Sequence, residues 1–221
     1  MPARLQDRIF AVCGIASVIV ELVGTFIAMG SGKTHTLTWS SSTASIAHAF
    51  EKPAATAVWV GAYLELLSVG LFLAFAVWAC ARLGGGILGA IGQGAAVAYV
   101  AVSSVSLALL NTEAYLAGHG LGTSAARALV TANGATFVAT WFLTAFFLLA
   151  VGPLALAAGR SIIGWSAIAI AAVTLIATAV DPGNLGQLST LLALIWVGGT
   201  SIALVRSDRM PSRRAAVAVE Y

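Results

Sequence analysis

A chain of 221 residues with 60% hydrophobic and only 9% charged side chains, at a mean hydropathy of +0.97, cannot coat a water-facing globule, because soluble domains carry about 25% charge. Its 11 basic and 8 acidic residues suffice for the loops of a bundle whose outer surface meets lipid, which points to an all-α polytopic membrane protein. A net charge of +3 would suggest nucleic acid only if the basic residues clustered on a folded face. They sit instead at the ends of apolar runs, so no nucleic-acid partner is read.

In chain order, Arg4 and Arg8 precede an apolar run from Ile9 to Gly30. That run exceeds the roughly 7–15 residues of a signal-peptide core, and no Ala-x-Ala site closes it, so it is expected to be a retained first span. A hydrocarbon core of about 30 Å needs about 20 apolar residues per helix. Six stretches qualify, at residues 9–30, 54–80, 87–110, 129–152, 162–180 and 186–205. They form one membrane domain, with 206–221 as a short basic tail. Spans two and three are parted by Arg82 and Gly84-Gly85-Gly86, spans four and five by Gly159-Arg160-Ser161, and spans five and six by the turn signal Asp181-Pro182-Gly183-Asn184.

Lys and Arg counts orient the bundle. One side holds Arg4, Arg8, Arg82, Arg160, Arg206, Arg209, Arg213 and Arg214; the other holds Lys33, Lys52 and Arg127. Both termini are therefore expected in the cytoplasm, as an even number of spans requires of the pair. On the opposite side, Ser42 or Thr43 is placed to cap a short interfacial helix with Ile46 and Phe50 on one face. Pro53 suits the first position of span two, and Thr123 or Ser124 could cap span four. Residues 111–128, with Asn111, Glu113, His119 and Arg127, read as an outer connection.

Motifs for chemistry are few. Gly30-Ser31-Gly32-Lys33-Thr34 mimics the end of a phosphate-binding loop, but Ile27 stands where the motif needs glycine, and a membrane span precedes it instead of a strand. Cys13 and Cys80 show no C-x-x-C pairing and read as small apolar-core residues. His35, His48 and His119 come from separate loop positions without metal-ligand spacing, and no histidine lies in a span to hold haem. No cofactor or metal is read.

Glu21 and Glu65 are the exceptions: they are the charged residues deep inside predicted spans, at depths differing by about 3 Å. Each lies on a face of small residues: Gly14, Ser17, Gly24, Thr25 and Ala28 around Glu21, and Gly61, Ala62 and Ser68 around Glu65. Small residues at this spacing mark close helix approach, so both acids are expected to point into the bundle, within a hydrogen bond or one water of each other. No Lys or Arg sits at their depth, and the pair is expected to hold at least one proton. An intramembrane ionisable residue is by default a functional candidate; here it is a proton or cation site, with Ser17, Ser68, Gln93 and Asn133 as supporting polar groups. The competing structural reading has two protonated acids fastening spans one and two together. Gln93 shares a face of span three with Ser103 or Ser104, and Asn133 heads a stripe with Thr136, Thr140 and Thr144 on span four.

The segment Val60-Gly61-Ala62-Tyr63-Leu64-Glu65-Leu66-Leu67, the amphipathic stretch before it and the close of the span at Ala81-Arg82-Leu83 resemble uncharacterised six-span integral membrane proteins of high-GC Gram-positive bacteria. The resemblance implies a bacterial plasma membrane and carries no activity, substrate or site residue. Three functional classes stay open: a small transport or sensing module with a mid-membrane carboxylate pair, a membrane-embedded enzyme acting on a lipid or isoprenoid, and a non-catalytic partner subunit of a membrane complex. An enzyme calls for a dense polar pocket or metal ligands, neither of which the sequence spells out. Beyond the lipid bilayer, the partners compatible with these classes are another membrane subunit or a small molecule.

Overall fold

The structure, a computed structural model, describes residues 3–31, 37–180 and 185–207. Its elements are α1 (Ala3–Ser31), α2 (Thr43–Phe50), α3 (Thr56–Arg82), α4 (Gly86–Leu116), α5 (Thr123–Ala157), α6 (Ser161–Val180) and α7 (Leu185–Ser207). All but α2 are long and apolar enough to cross a membrane. Hydrocarbon offers amides no water, and a helix bonds its own N–H and C=O groups, so the apolar runs resolve as helices.

The packing order follows the chain. α1 lies on α3, α3 on α4, α4 on α5, α5 on α6 and α6 on α7, and α7 returns to α1, so the six spans close a ring. α5 also touches α7 directly, and no α6 residue reaches the central cavity. Phe75, Phe147 and Val151, each almost wholly buried, anchor the apolar core on the terminal half of the ring. Three indole N–H groups cross between helices: Trp78 donates to Asp7 Oδ1 at 2.9 Å, Trp141 to Thr190 Oγ1 at 3.0 Å, and Trp196 to the Ile163 carbonyl at 3.2 Å. A buried indole that found no acceptor would leave its donor unsatisfied.

α1 and α3 approach each other closely. A Cβ built on Gly61 would lie 2.6 Å from the Gly24 carbonyl oxygen and 2.7 Å from the Ala28 Cβ. One built on Gly24 would lie 2.9 Å from the Gly61 carbonyl. The two backbones meet only because neither position has a side chain, the small-residue packing of membrane helices.

The helices differ from the predicted spans at the α2 face. Span three was expected to stop at residue 110 and span four to begin at 129, yet α4 runs to Leu116 and α5 starts at Thr123. The polar residues that read as a loop fall within these longer helices or the turn between them. At about 1.5 Å per residue, the 35 residues of α5 reach about 50 Å, well beyond the hydrocarbon core. On that protruding end sits α2. Ser42 caps it, accepting from Ser45 N at 3.1 Å, and Ile46 and Phe50 pack against Ala117, Ala126 and Val130. Arg127 holds its start through Thr43 Oγ1 at 2.7 Å. Its end is held by the Gly118 N–H, which donates to the Phe50 carbonyl at 2.8 Å.

Two local expectations need correction. Pro53 does not open the second span: α3 begins at Thr56 behind Ala55, and Pro53 packs instead on Gly118, where a Cβ would lie 2.5 Å from the ring and the φ of +76° favours glycine. Neither Thr123 nor Ser124 caps α5. The cap position is Gly122, without a side-chain bond, because the helix starts one residue earlier than a threonine cap requires.

Candidate functional site

The small-residue faces carry Glu21 and Glu65 to the inside of the ring. On α3, Gly61, Ala62, Glu65 and Ser68 are all buried, with Glu65 7% exposed. On α1, Gly14, Ser17, Gly24 and Ala28 are buried while Glu21 and Thr25 keep some open surface. The α1–α3 crossing then exchanges hydroxyls between the helices. Thr25, four residues after Glu21, donates to Glu65 Oε1 at 3.2 Å. Ser68, three residues after Glu65, makes a short hydrogen bond to Glu21 Oε2 and a second contact to the Glu65 carbonyl at 2.8 Å. Each acid is thus served by the helix that carries the other. The two carboxyl groups lie within direct electrostatic reach of each other.

Both open onto one cavity of about 100 Å³, several times the ~10–15 Å³ that a single water occupies. Its wall is drawn from α1, α3, α4, α5 and α7. Ser17, Ser68, Ser103, Ser106, Thr140, Thr144 and Thr190 contribute hydroxyls, and Phe72, Tyr99, Phe137, Trp141 and Phe147 contribute rings. Ser17 donates to the Gly14 carbonyl and Thr144 to the Thr140 carbonyl, at 2.8 and 2.9 Å. Their oxygen lone pairs remain free to face the cavity. No Lys, Arg or His is among the described lining residues. The arrangement presents acceptors and negative charge to whatever enters, so it suits protons and cations and disfavours anions.

The supporting residues divide. Ser17 and Ser68 line the cavity. Asn133 is buried just outside it, accepting from Ser106 at 2.7 Å, so it orients a lining hydroxyl. Gln93 does not reach it: ten residues separate it from Ser103, which turns it about 80° around a 3.6-residue helix and moves it about 15 Å along the axis. Ser104 likewise turns away, bonded to the Val100 carbonyl at 2.8 Å. Thr136 is bonded to the Asn133 carbonyl at 2.7 Å.

Most lining residues were not singled out from sequence, Tyr99, Trp141 and Thr190 among them. These three lie in apolar spans, where an aromatic or a threonine carries no periodic signal of its own. Tyr99 bonds Ser103 and lies within electrostatic reach of both acids. Glu113 was assigned to an outer loop and proves to be 1% exposed, inside α4, with Oε1 lacking a hydrogen-bond partner among the described residues. Its signal was present as i+7 spacing from Ser106, which places both on one helix face.

Of the loop groups, His48 Nδ1 lies 2.9 Å from Glu51 Oε2 on exposed surface, and His119 stacks on Tyr115 at 5.3 Å. Gly32, Lys33, Thr34, His35 and Asp181 lie outside the described residues. Among the described residues no three of His, Cys, Asp and Glu converge as a metal site would require. Comparison with protein families, with curated proteins and with solved structures gave no match.

Proposed function

We propose that this integral membrane protein is a small transport or sensing module in which Glu21 and Glu65 together bind a proton or a cation at mid-membrane. The proposal extends to its setting: a bacterial plasma membrane, with both termini in the cytoplasm. One observation carries the reading. Two acids from crossing helices open onto a shared cavity that five spans line and that no basic residue among the described ones enters. Acids that served only to fasten α1 to α3 would need no such space; close packing around protonated carboxyls would do better, since interiors fill to crystal-like density. The crossed hydroxyl bonds also make the site responsive. A charge arriving at Glu21 or Glu65 acts on Ser68 or Thr25, and so on the crossing of the two helices.

The test replaces titratable oxygens by amides of similar size. Glu21→Gln, Glu65→Gln and the double variant keep hydrogen-bonding capacity but cannot exchange a proton. The purified variants are followed by thermal denaturation in detergent and by dye-reported proton flux in reconstituted vesicles. Melting close to wild type with flux reduced to that of empty vesicles is expected. A double variant indistinguishable from wild type in both assays would leave the acids as fasteners and overturn the proposal.

A further inference from the structure

The cavity has more room than a proton requires and a different wall from the one an inorganic ion requires. A proton moves along hydrogen-bonded groups without any free volume, whereas about 100 Å³ stands open here. A bare hard cation replaces its water shell with six or more oxygens held on all sides. In this cavity the oxygens of Glu21, Glu65 and the hydroxyl residues are spread over five helices and set among rings and aliphatic side chains, which make up most of the wall. Phe72 is set edge-on to Tyr99 and Phe147, at 5.1 and 5.5 Å, and Phe137 edge-on to Trp141 at 6.1 Å. Rings return little of the hydration that such an ion gives up. They are suited to a weakly hydrated organic cation, whose charge is attracted to ring faces and whose carbon atoms lose nothing on leaving water.

Resting on the reading of Glu21 and Glu65 as a cation site, we infer that the occupant is a small alkylammonium ion. Its charge is set against the two carboxyl groups and its carbon surface against Trp141 and the neighbouring rings. Size bounds the class. A cavity of about 150 Å³ lined by apolar groups holds benzene, so about 100 Å³ admits an ion of some four to six heavy atoms, such as tetramethylammonium. When such an ion enters a pair that holds one proton, release of that proton to water keeps the charge of the site constant. Uptake of the cation is therefore coupled to proton release.

The full chain in a neutral maltoside detergent is titrated with tetramethylammonium chloride, and separately with sodium and potassium chloride, at constant ionic strength. Thermal stabilisation and proton release into weak buffer are recorded. Half-saturation by tetramethylammonium at a concentration about tenfold or more below that of sodium or potassium is expected, with proton release. Trp141→Leu should weaken it about tenfold and Trp141→Phe only a few-fold, since the ring is kept; the Glu21→Gln, Glu65→Gln double variant should abolish proton release. Phe72→Leu provides a second ring deletion should Trp141→Leu fail to fold. Equal or better binding of sodium or potassium would overturn the organic-cation inference and leave the cation site standing. Flux that depends on Glu21 and Glu65 without stabilisation by any of the three cations would also overturn it, in favour of a proton alone. Absence of both responses would sink this inference together with the reading on which it rests.

Discussion

Gly61→Ala tests the geometry on which the site depends. The added methyl would lie 2.6 Å from the Gly24 carbonyl oxygen and 2.8 Å from the Ala28 backbone nitrogen. These are main-chain atoms of a facing helix, which no rotamer change can move. Ordinary contact begins at 3.4 Å, so α1 and α3 must part locally by about 0.8 Å. Overpacking of this kind costs roughly 1–3 kcal/mol. The Thr25–Glu65 bond, already 3.2 Å long, would stretch to about 4 Å, outside hydrogen-bond range. The control is Gly70→Ala on the same helix, where a Cβ meets nothing within 4 Å. Removing glycine from a helix there should be neutral or stabilising by up to about 1 kcal/mol. At about 2–4 °C per kcal/mol for a chain of this size, thermal denaturation should place Gly61→Ala several degrees below wild type and Gly70→Ala at or above it. Gly61→Ala should also lose cation or proton responses, because the crossed hydroxyls no longer reach. Equal melting of the two variants would refute the close crossing.

Gly118→Ala forces a Cβ onto Pro53 at a φ of +76° and should loosen α2 by about 1–3 kcal/mol; faster proteolysis between residues 37 and 55 would report it, and unchanged cleavage would contradict the Gly118–Phe50 tie. Glu113 is buried with an unbonded Oε1, so Glu113→Leu should melt at or above wild type, while Glu113→Ala, which leaves a void, should lose about 2–4 kcal/mol. Equal damage from both would mean that the carboxyl group itself is required. Reporter fusions at residues 40, 84, 118 and 160 should alternate, with 84 and 160 on the cytoplasmic side; a cytoplasmic signal at 118 would overturn the proposed orientation.

The number of spans and their helical nature were legible in the sequence, because the bilayer imposes both through length and apolarity alone. The inward facing of Glu21 and Glu65 was legible too: a charged group and small residues at i,i+3 and i,i+4 share one face by helix geometry, whatever the neighbours. Helix ends were less so. Glu113 read as loop because polarity marks a boundary only where the chain meets water, and α2 covers the ends of α4 and α5 so that the helices persist beneath it. The cavity itself lay beyond sequence. Tyr99, Trp141 and Thr190 belong to three helices whose mutual rotation is set by packing, not by any one helix's pattern. Gln93 failed for the same reason in reverse, since sharing a span with Ser103 does not amount to sharing its azimuth. What composition and spacing determined was the medium, the spans and the two acids; the closed ring determined what those acids face, because only the return of α7 onto α1 encloses a space between them.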